Sequence, residues 1–158
     1  GELVAFDTDL VGAYGMMTDI SRTWVCGNAG PSAQARNAHD LAVEQVSRNI
    51  ELLTPGRSFH ELCHAAWTPP VEDYRHYSCL FHGVGQCDEY PSIPFPEAWA
   101  DSGYDGVLEP GMVLTVEAYV GDRSGGPGVK LEDQVLITEN GYENLSPWTL
   151  DLDVFETL

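Results

Sequence analysis

The alternation of hydrophobic and polar positions predicts that this chain opens with a β-hairpin. From Leu3 to Leu10 the residues alternate with the period of a strand. Residues 12–15 have the composition of a turn, and the segment from Met17 to Cys26 predicts the returning strand. Two aspartates, Asp7 and Asp9, lie two apart on the first strand, so we expect both to point to the same face.

The next segment predicts two helices. Residues from Ser32 to Leu53 show helical periodicity, with an apolar stripe formed by Ala35, Ala38, Leu41, Ala42, Val46 and Ile50. The sequence Thr-Pro-Gly at 54–56 ends this helix. Ser58 and Glu61 then have the spacing of a capping box, which predicts a short helix that runs to about Trp67.

The rest of the chain predicts strands that are separated by loops. Strands are expected at Tyr77–Leu80, Met112–Val120 and Gly128–Thr138. Residues 88–105 are rich in proline and aromatic residues, which predicts a long ordered loop of the kind that often lines a site.

Composition and charge limit the class of protein. A chain of 158 residues with 43% hydrophobic residues is long enough for one domain with a real core. The net charge is −18 and Lys130 is the single lysine, which argues against a nucleic-acid partner, because phosphate binding needs clustered basic residues. The acidity fits solubility or a salt-adapted source, or else attraction of cationic ligands.

Two further observations concern the cell compartment. No run of about 18 apolar residues is present, so no membrane partner is expected. The four cysteines are Cys26, Cys63, Cys79 and Cys87, and they form no CxxC pair. This favours reduced, mostly buried thiols in a cytoplasmic protein over a disulfide framework.

Several side chains with hard donor atoms lie in predicted strands or at their ends: Asp9, Asp19, His82, Glu117 and Glu132. Carboxylates in such positions cost free energy unless they are paired or bound to a cation. A pair of divalent metal ions is the simplest partner, and oxygen donors with one imidazole favour Mn, Fe, Co or Zn. Taken singly, each residue also has a structural interpretation, because aspartates often form turns and a histidine beside glycines is often structural.

The sequence around these residues resembles a known family. In chain order, four segments are similar to the motifs D-x-T/S-R-T, H-G-x-G, L-x-P-G-M-V-x-T-x-E and G-V-R-x-E-D: Asp19–Thr23, Phe81–Gly85, Leu108–Glu117 and Gly128–Asp133. These motifs belong to the pita-bread metallohydrolases, the family of creatinase, Xaa-Pro dipeptidase and methionine aminopeptidase.

The resemblance implies an α+β pita-bread fold, in which helices cover the outer face of a curved antiparallel sheet. Residues 1–158 would supply the C-terminal, metal-bearing part of the catalytic domain, and the N-terminal half and any N-terminal domain would lie outside this chain. Such a part would have weak activity or none by itself, and the complete protein would be a homodimer. In the implied centre Asp19 and Glu132 bridge two metal ions, Asp9 completes one site, and His82 with Glu117 completes the other.

Two departures from the family pattern point away from peptide hydrolysis. The opening motif D-x-G is replaced by Asp-Thr-Asp at 7–9, which adds a carboxylate beside the first metal. The peptidases also keep a second histidine after H-G-x-G, and Asp88 stands in the corresponding segment. An ionised carboxylate only accepts hydrogen bonds, so this exchange weakens oxyanion stabilisation and favours proton abstraction. The alternative is that Asp88 is only a loop residue.

These departures, together with Ser-Pro-Trp at 146–148, resemble the dimethylsulfoniopropionate lyase branch of the family. The resemblance implies a β-elimination that yields dimethyl sulfide and acrylate from a small zwitterionic sulfonium substrate. Asp88 would be the base and Tyr77 would contact the substrate. Two divalent transition-metal ions, iron first and manganese, zinc or cobalt as alternatives, would be held by Asp7, Asp9, Asp19, His82, Glu117 and Glu132.

Two other functions stay open at this stage. One is a dinuclear metallopeptidase of the Xaa-Pro dipeptidase or aminopeptidase type, and the other is a metal-free pita-bread binding module. Binding modules of that kind usually lose ligands, whereas here every expected ligand position is filled. Tyr90, Trp99 and Tyr119 are additional candidates for a cation–π contact with the sulfonium, although ordinary core packing is the favoured interpretation for each of them.

Overall fold

A computed structural model describes residues 1–151, and residues 152–158, where the sequence predicts no element, lie outside the described part. The strands are β1 Leu3–Asp7, β2 Leu10–Val11, β3 Met17–Thr18, β4 Ser21–Val25, β5 Tyr74–Arg75, β6 Cys79–Gly83, β7 Ser92–Pro94, β8 Val113–Asp122, β9 Gly128–Thr138 and β10 Gly141–Asn144. The helices are α1 Ala33–Ile50, α2 Phe59–Ala65 and the single turn α3 Trp99–Ser102.

The predicted hairpin is confirmed, but its first strand is shorter than expected. Strand β1 pairs antiparallel with β4, so that Asp7 lies opposite Ser21. Beyond Asp7 the ladder is interrupted, because the backbone N–H of Ile20 donates to the Thr8 hydroxyl at 2.8 Å. Asp9 then adopts a φ of 32°, and only the short pair of β2 with β3 continues the hairpin. Asp7 and Asp9 are therefore not on one continuous strand.

Both predicted helices are present. The Ser32 hydroxyl caps α1 by accepting from the Ala35 N–H at 3.1 Å, and the apolar stripe of α1 is buried except for the half-buried Leu41. The capping box of Ser58 and Glu61 is formed at the start of α2. This helix ends at Ala65, two residues before the predicted end.

The main sheet has the strand order β10-β9-β8-β6-β7, with β5 paired to β8 at one end. All its described pairs are antiparallel, and β9 has the predicted bounds. Along β8 alternate side chains from Leu114 to Val120 join the apolar core that packs against α1, and so does Leu131 of β9. The intervening positions carry polar side chains, so the sheet has one apolar face covered by a helix and one polar face.

The segment 88–105 is ordered as predicted, but it is not a plain loop. It contains β7, which pairs with β6 so that Ser92 lies opposite His82. The Tyr104 hydroxyl accepts from the Ser92 N–H at 2.8 Å and joins the end of the segment to β7. The short strands β5 and β10 were not predicted, because two to four residues give too little periodicity to recognise.

The hairpin lies beside β9 and contacts it through side chains. The Thr23 hydroxyl donates to the Lys130 carbonyl at 2.8 Å and accepts from the Lys130 N–H at 2.9 Å, where a further strand would otherwise pair. The buried Arg22 guanidinium donates to the Glu132 carbonyl and forms an ion pair with Asp133 at 2.6 Å. These contacts bring the aspartates of the hairpin to the polar face of the sheet.

All four cysteines are free thiols, but only Cys63 and Cys79 are buried, whereas Cys26 and Cys87 are exposed. Within residues 1–151, none of the helices combines the length and the apolar character that crossing a membrane requires.

Candidate metal centre

Two glutamates face each other at the centre of the polar face. Glu117 on β8 and Glu132 on β9 are direct partners in the antiparallel register, and they are 1% and 0% exposed. Like charges directly opposite each other on neighbouring strands are destabilising. The pair therefore needs a cation, or protons, to be stable in this position.

His82 reaches the same point from β6. Its Nε2 atom lies 3.1 Å from the Oε1 atom of Glu132, 3.7 Å from the Oδ2 atom of Asp19 and 3.9 Å from the Oε2 atom of Glu117. Its other nitrogen, Nδ1, is 3.2 Å from the Gly83 carbonyl oxygen. An Nδ1–H that donates to this carbonyl leaves the Nε2 lone pair facing the carboxylates, as in histidines that bind metals.

The aspartates of the hairpin complete two overlapping groups of donor atoms. Ligand atoms of Asp7, Asp9 and Asp19 lie within 4.8 Å of one another, and so do those of Asp19, His82 and Glu132. Asp19 belongs to both groups, which is the arrangement expected of a carboxylate between two cations. Glu117 is in neither group, although it lies beside His82.

Hydrogen bonds fix the carboxylates that the hairpin contributes. The Gln134 side-chain oxygen accepts from the Asp19 N–H at 3.2 Å and from the Thr18 hydroxyl at 2.9 Å. The Ser21 hydroxyl lies 2.6 Å from Asp7 and 2.9 Å from Glu132. A hydroxyl has one proton and donates to one carboxylate at a time. Ser21 therefore links the hairpin to β9 without neutralising either acid.

Crowded negative charge at this cluster raises the pKa values of its acids and of His82. Burial and the neighbouring Glu132 raise the pKa of Asp19 to about 8 and that of Glu117 to about 7. Burial acts against protonation of His82, but the hydrogen bond and charge of Glu132 prevail and raise its pKa to about 9. Burial and the charge of Asp7 also raise the pKa of Asp9. Without a bound cation, this cluster therefore retains protons near neutral pH.

We expect the metal-free protein to lose stability as the pH rises from about 5 to about 9. Asp19, Glu117 and His82 all have raised pKa values in the folded state, so the folded protein binds more protons than the unfolded chain between their ordinary and raised values. Increasing pH therefore favours unfolding. Melting temperatures of chelator-treated protein across this range test the slope, and a flat or rising profile would contradict it. Excess divalent metal should remove the slope.

The residues present fit a divalent metal ion. The carboxylate of Glu117 is buried, and the Lys130 ammonium lies 2.7 Å from its Oε1 atom. This single ammonium also contacts Asp7, so it does not neutralise the carboxylates of both groups of donor atoms. Carboxylate oxygens with one imidazole are donors that Mn, Fe, Co and Zn accept.

The predicted base and the predicted substrate contact both lie at this cluster. The Oδ1 atom of Asp88 is 3.8 Å from Nδ1 of His82, and its side chain is 17% exposed. The Glu89 N–H donates to this oxygen at 3.0 Å and fixes its direction. The ring of Tyr77 lies beneath the Lys130 ammonium, 4.4 Å from the nitrogen to the ring centre.

The other aromatic candidates contact side chains that do not belong to the cluster of carboxylates. Tyr90 stacks on Tyr104, Trp99 packs edge-on against His60, and the Tyr119 ring faces the Arg75 guanidinium. These contacts favour ordinary packing for Tyr90, Trp99 and Tyr119.

Four residues at the cluster were not predicted from the sequence: Ser21, Cys79, Lys130 and Gln134. Cys79 donates through its thiol to an Oε2 of Glu117 at 3.5 Å, and burial raises the pKa of that thiol. Lys130 forms an ion pair with Asp7 as well as with Glu117. The position of Lys130, two residues before Glu132 on the same strand face, was the one signal that could have identified it.

The antiparallel sheet with outer helices and a polar face lined with carboxylates is the pita-bread fold, and the site is of the class that holds divalent metal ions. The chain belongs to metallopeptidase family M24, whose model matches residues 1–139.

The proteins that resemble this chain are named for different activities. The chain is 47% identical over 151 residues to dimethylsulfoniopropionate lyase DddP of Roseovarius nubinhibens, covering 95% of this chain and 34% of that protein. It is 47% identical over 153 residues to the DddP of Roseobacter denitrificans, with the same coverage. Prolidase from Pyrococcus furiosus superposes with a TM-score of 0.70 at 32% identity, covering 93% of this chain and 42% of that one. The chain thus spans about a third of the length of the curated lyases that it matches.

Proposed function

We propose that this chain forms the metal-bearing part of a lyase that cleaves dimethylsulfoniopropionate to dimethyl sulfide and acrylate. The observation that carries the proposal is the carboxylate of Asp88, 3.8 Å from His82 at the edge of the candidate metal centre. The similarity to two proteins named as dimethylsulfoniopropionate lyases supports the choice of substrate.

The proposed cofactors are two divalent transition-metal ions, iron first and manganese, zinc or cobalt as alternatives. Asp7, Asp9, Asp19, His82, Glu117 and Glu132 would hold them. A bound divalent ion supplies Lewis acidity, which polarises the substrate carboxylate and makes the proton on the adjacent carbon more acidic.

Asp88 performs the proton transfer in this proposal. Its carboxylate removes the proton from the α-carbon, the electron pair of that bond forms the double bond to the β-carbon, and the β-carbon–sulfur bond breaks. Dimethyl sulfide leaves with the electron pair of the broken bond, and acrylate remains. The protonated Asp88 then releases its proton to solvent, so that no water nucleophile and no oxyanion donor are required.

Tyr77 gives the sulfonium end of the substrate an aromatic surface. A cation over a tyrosine ring contributes roughly 0.5–2 kcal/mol, depending on how far it is desolvated. The Lys130 ammonium already lies over this ring, which supports the ability of Tyr77 to hold a cation. In the proposal the sulfonium uses the opposite face of the ring.

The alternative is a dinuclear metallopeptidase that acts near proline. The structural likeness to the Pyrococcus furiosus prolidase favours it. It gives no role to a carboxylate at Asp88, because the hydrolytic intermediate needs a hydrogen-bond donor there. A metal-free binding module is a weaker alternative, since it leaves the buried carboxylates of Glu117 and Glu132 opposite each other without a metal ion to compensate their charges.

Product analysis of a protein that contains this chain tests the proposal. Headspace dimethyl sulfide from dimethylsulfoniopropionate is expected, and no proline should be released from Xaa-Pro dipeptides. Proline release without dimethyl sulfide would establish the alternative, and metal content below one ion per chain would favour the binding module.

The iron, the homodimer and the cytoplasmic location stay predictions, as does the assignment of residues 1–158 to the C-terminal part of the domain.

A further inference from the structure

Lys130 is the charged group at the centre that the proposed mechanism does not use. It is the single lysine of the chain, and its side chain is only 11% exposed. Buried lysines are rare unless they are paired. Lys130 is paired on three sides, because its ammonium contacts Asp7, Glu117 and the face of the Tyr77 ring.

The charge of Lys130 complements the proposed metal ions. Five carboxylates meet at the centre: Asp7, Asp9, Asp19, Glu117 and Glu132. Two divalent cations would leave one of these five negative charges uncompensated, in addition to the carboxylate of Asp88 beside His82, and the Lys130 ammonium offsets one of them. The extra carboxylate is one of the pair at Asp7 and Asp9, and Lys130 binds Asp7 directly.

The position of Lys130 also connects two parts of the site. Asp7 comes from the hairpin and Glu117 from β8, whereas Tyr77 precedes β6 in the chain. The ammonium is therefore a common anchor for two proposed metal ligands and for the proposed substrate contact. Because it is enclosed by these neighbours, it has little free surface for the substrate itself.

We propose that Lys130 is a positioning residue that fixes the ring of Tyr77 relative to the carboxylates of Asp7 and Glu117. It sets the distance between the sulfonium pocket and the metal centre, and thereby contributes to selection of the substrate by its length. This inference rests on the proposed function for the identity of the substrate. The link between Lys130 and the carboxylates does not depend on it.

Lys130→Met in a protein that contains this chain is the first variant to measure. We expect KM for dimethylsulfoniopropionate to rise about tenfold with a smaller change in kcat, because Tyr77 loses the cation that orients it. We also expect a changed visible absorption spectrum of the cobalt-substituted protein, because Asp7 and Glu117 lose their shared partner. Lys130→Arg keeps the charge with a different shape, and should change KM less.

Arg75→Met is the matched control. The Arg75 guanidinium lies over the Tyr119 ring at 5.8 Å, so this variant also removes a cation from a tyrosine face, but at a position with no recorded contact to the carboxylates. It should leave both KM and the cobalt spectrum unchanged. A lower melting temperature in Lys130→Met with unchanged KM and spectrum would reduce Lys130 to a structural role and overturn the proposal.

A double variant tests the coupling to Tyr77. Tyr77→Leu should raise KM, and adding Lys130→Met should raise it no further, whereas the cobalt spectrum should still change. Multiplying effects on KM would mean that the two residues act independently, which would refute the proposal. If the protein releases proline and no dimethyl sulfide, the lyase function fails, and the same variants are then compared on the dipeptide.

Discussion

Asp88→Asn is expected to abolish dimethyl sulfide release while the metal content of the protein stays unchanged. An amide cannot take the proton from the α-carbon, and loss of a general base typically lowers the rate about 10²–10⁴-fold. Asparagine has the shape of aspartate, and its oxygen can still accept the hydrogen bond from the Glu89 N–H. The measurement is kcat on dimethylsulfoniopropionate together with elemental analysis of the purified variant.

Glu89→Gln is the control for this variant. It removes the neighbouring carboxylate, which is exposed, from the same turn. It should keep full activity, so that a general loss of negative charge cannot account for the effect of Asp88→Asn. Near-normal turnover in Asp88→Asn would remove Asp88 from the mechanism, and with it the main reason to prefer elimination to hydrolysis.

Asp19→Asn is expected to lose both metal ions and to lower activity at least about a hundredfold. Asp19 is the one residue that belongs to both groups of donor atoms, so each ion would lose a ligand. The variant should still fold, because the raised pKa of Asp19, about 8, means that a neutral side chain is well tolerated in this position. Elemental analysis and circular dichroism provide the two readouts.

Asp9→Asn is the comparison, because Asp9 belongs to only one of the two groups. It should lose about one of the two ions, with the group of Asp19, His82 and Glu132 still occupied. Full metal content in Asp19→Asn, or an equal loss of metal in both variants, would contradict the assignment of Asp19 as a residue that bridges the two ions.

The fold was predictable where the sequence carries long periodic segments or a local motif. Strand β9 followed from alternation, and the cap of α2 followed from the spacing of Ser58 and Glu61. The end of the first strand at Asp7 did not, because the Thr8 hydroxyl takes over a backbone N–H across the hairpin. That competition between side chain and backbone leaves no mark on the hydrophobic pattern.

The acidic residues of the candidate site could be predicted from the sequence, but the residues that contact them could not. Side chains such as Glu117 and Glu132 were expected on one face because strand alternation and family motifs place them there. Ser21 and Lys130 were missed because they are distant in sequence from the acids that they contact. Ser21 is 111 residues from Glu132, and Lys130 is 123 residues from Asp7. Only the folded chain shows that Lys130 lies between two carboxylates and a ring.

The separation of the hairpin from the main sheet has a mechanical consequence. Strands β1 and β4 pair with each other and with no strand of the six-stranded sheet in the described residues. Asp9 and Asp19 lie on this hairpin, whereas His82 and Glu132 lie on the sheet. Bound ions would therefore add a cross-link between two pieces whose strands do not pair with each other. They would tether Asp19 and His82, which are more than 60 residues apart in the chain. Local detachment of the hairpin would then release the ions as well as break the contacts of Thr23 and Arg22 with β9.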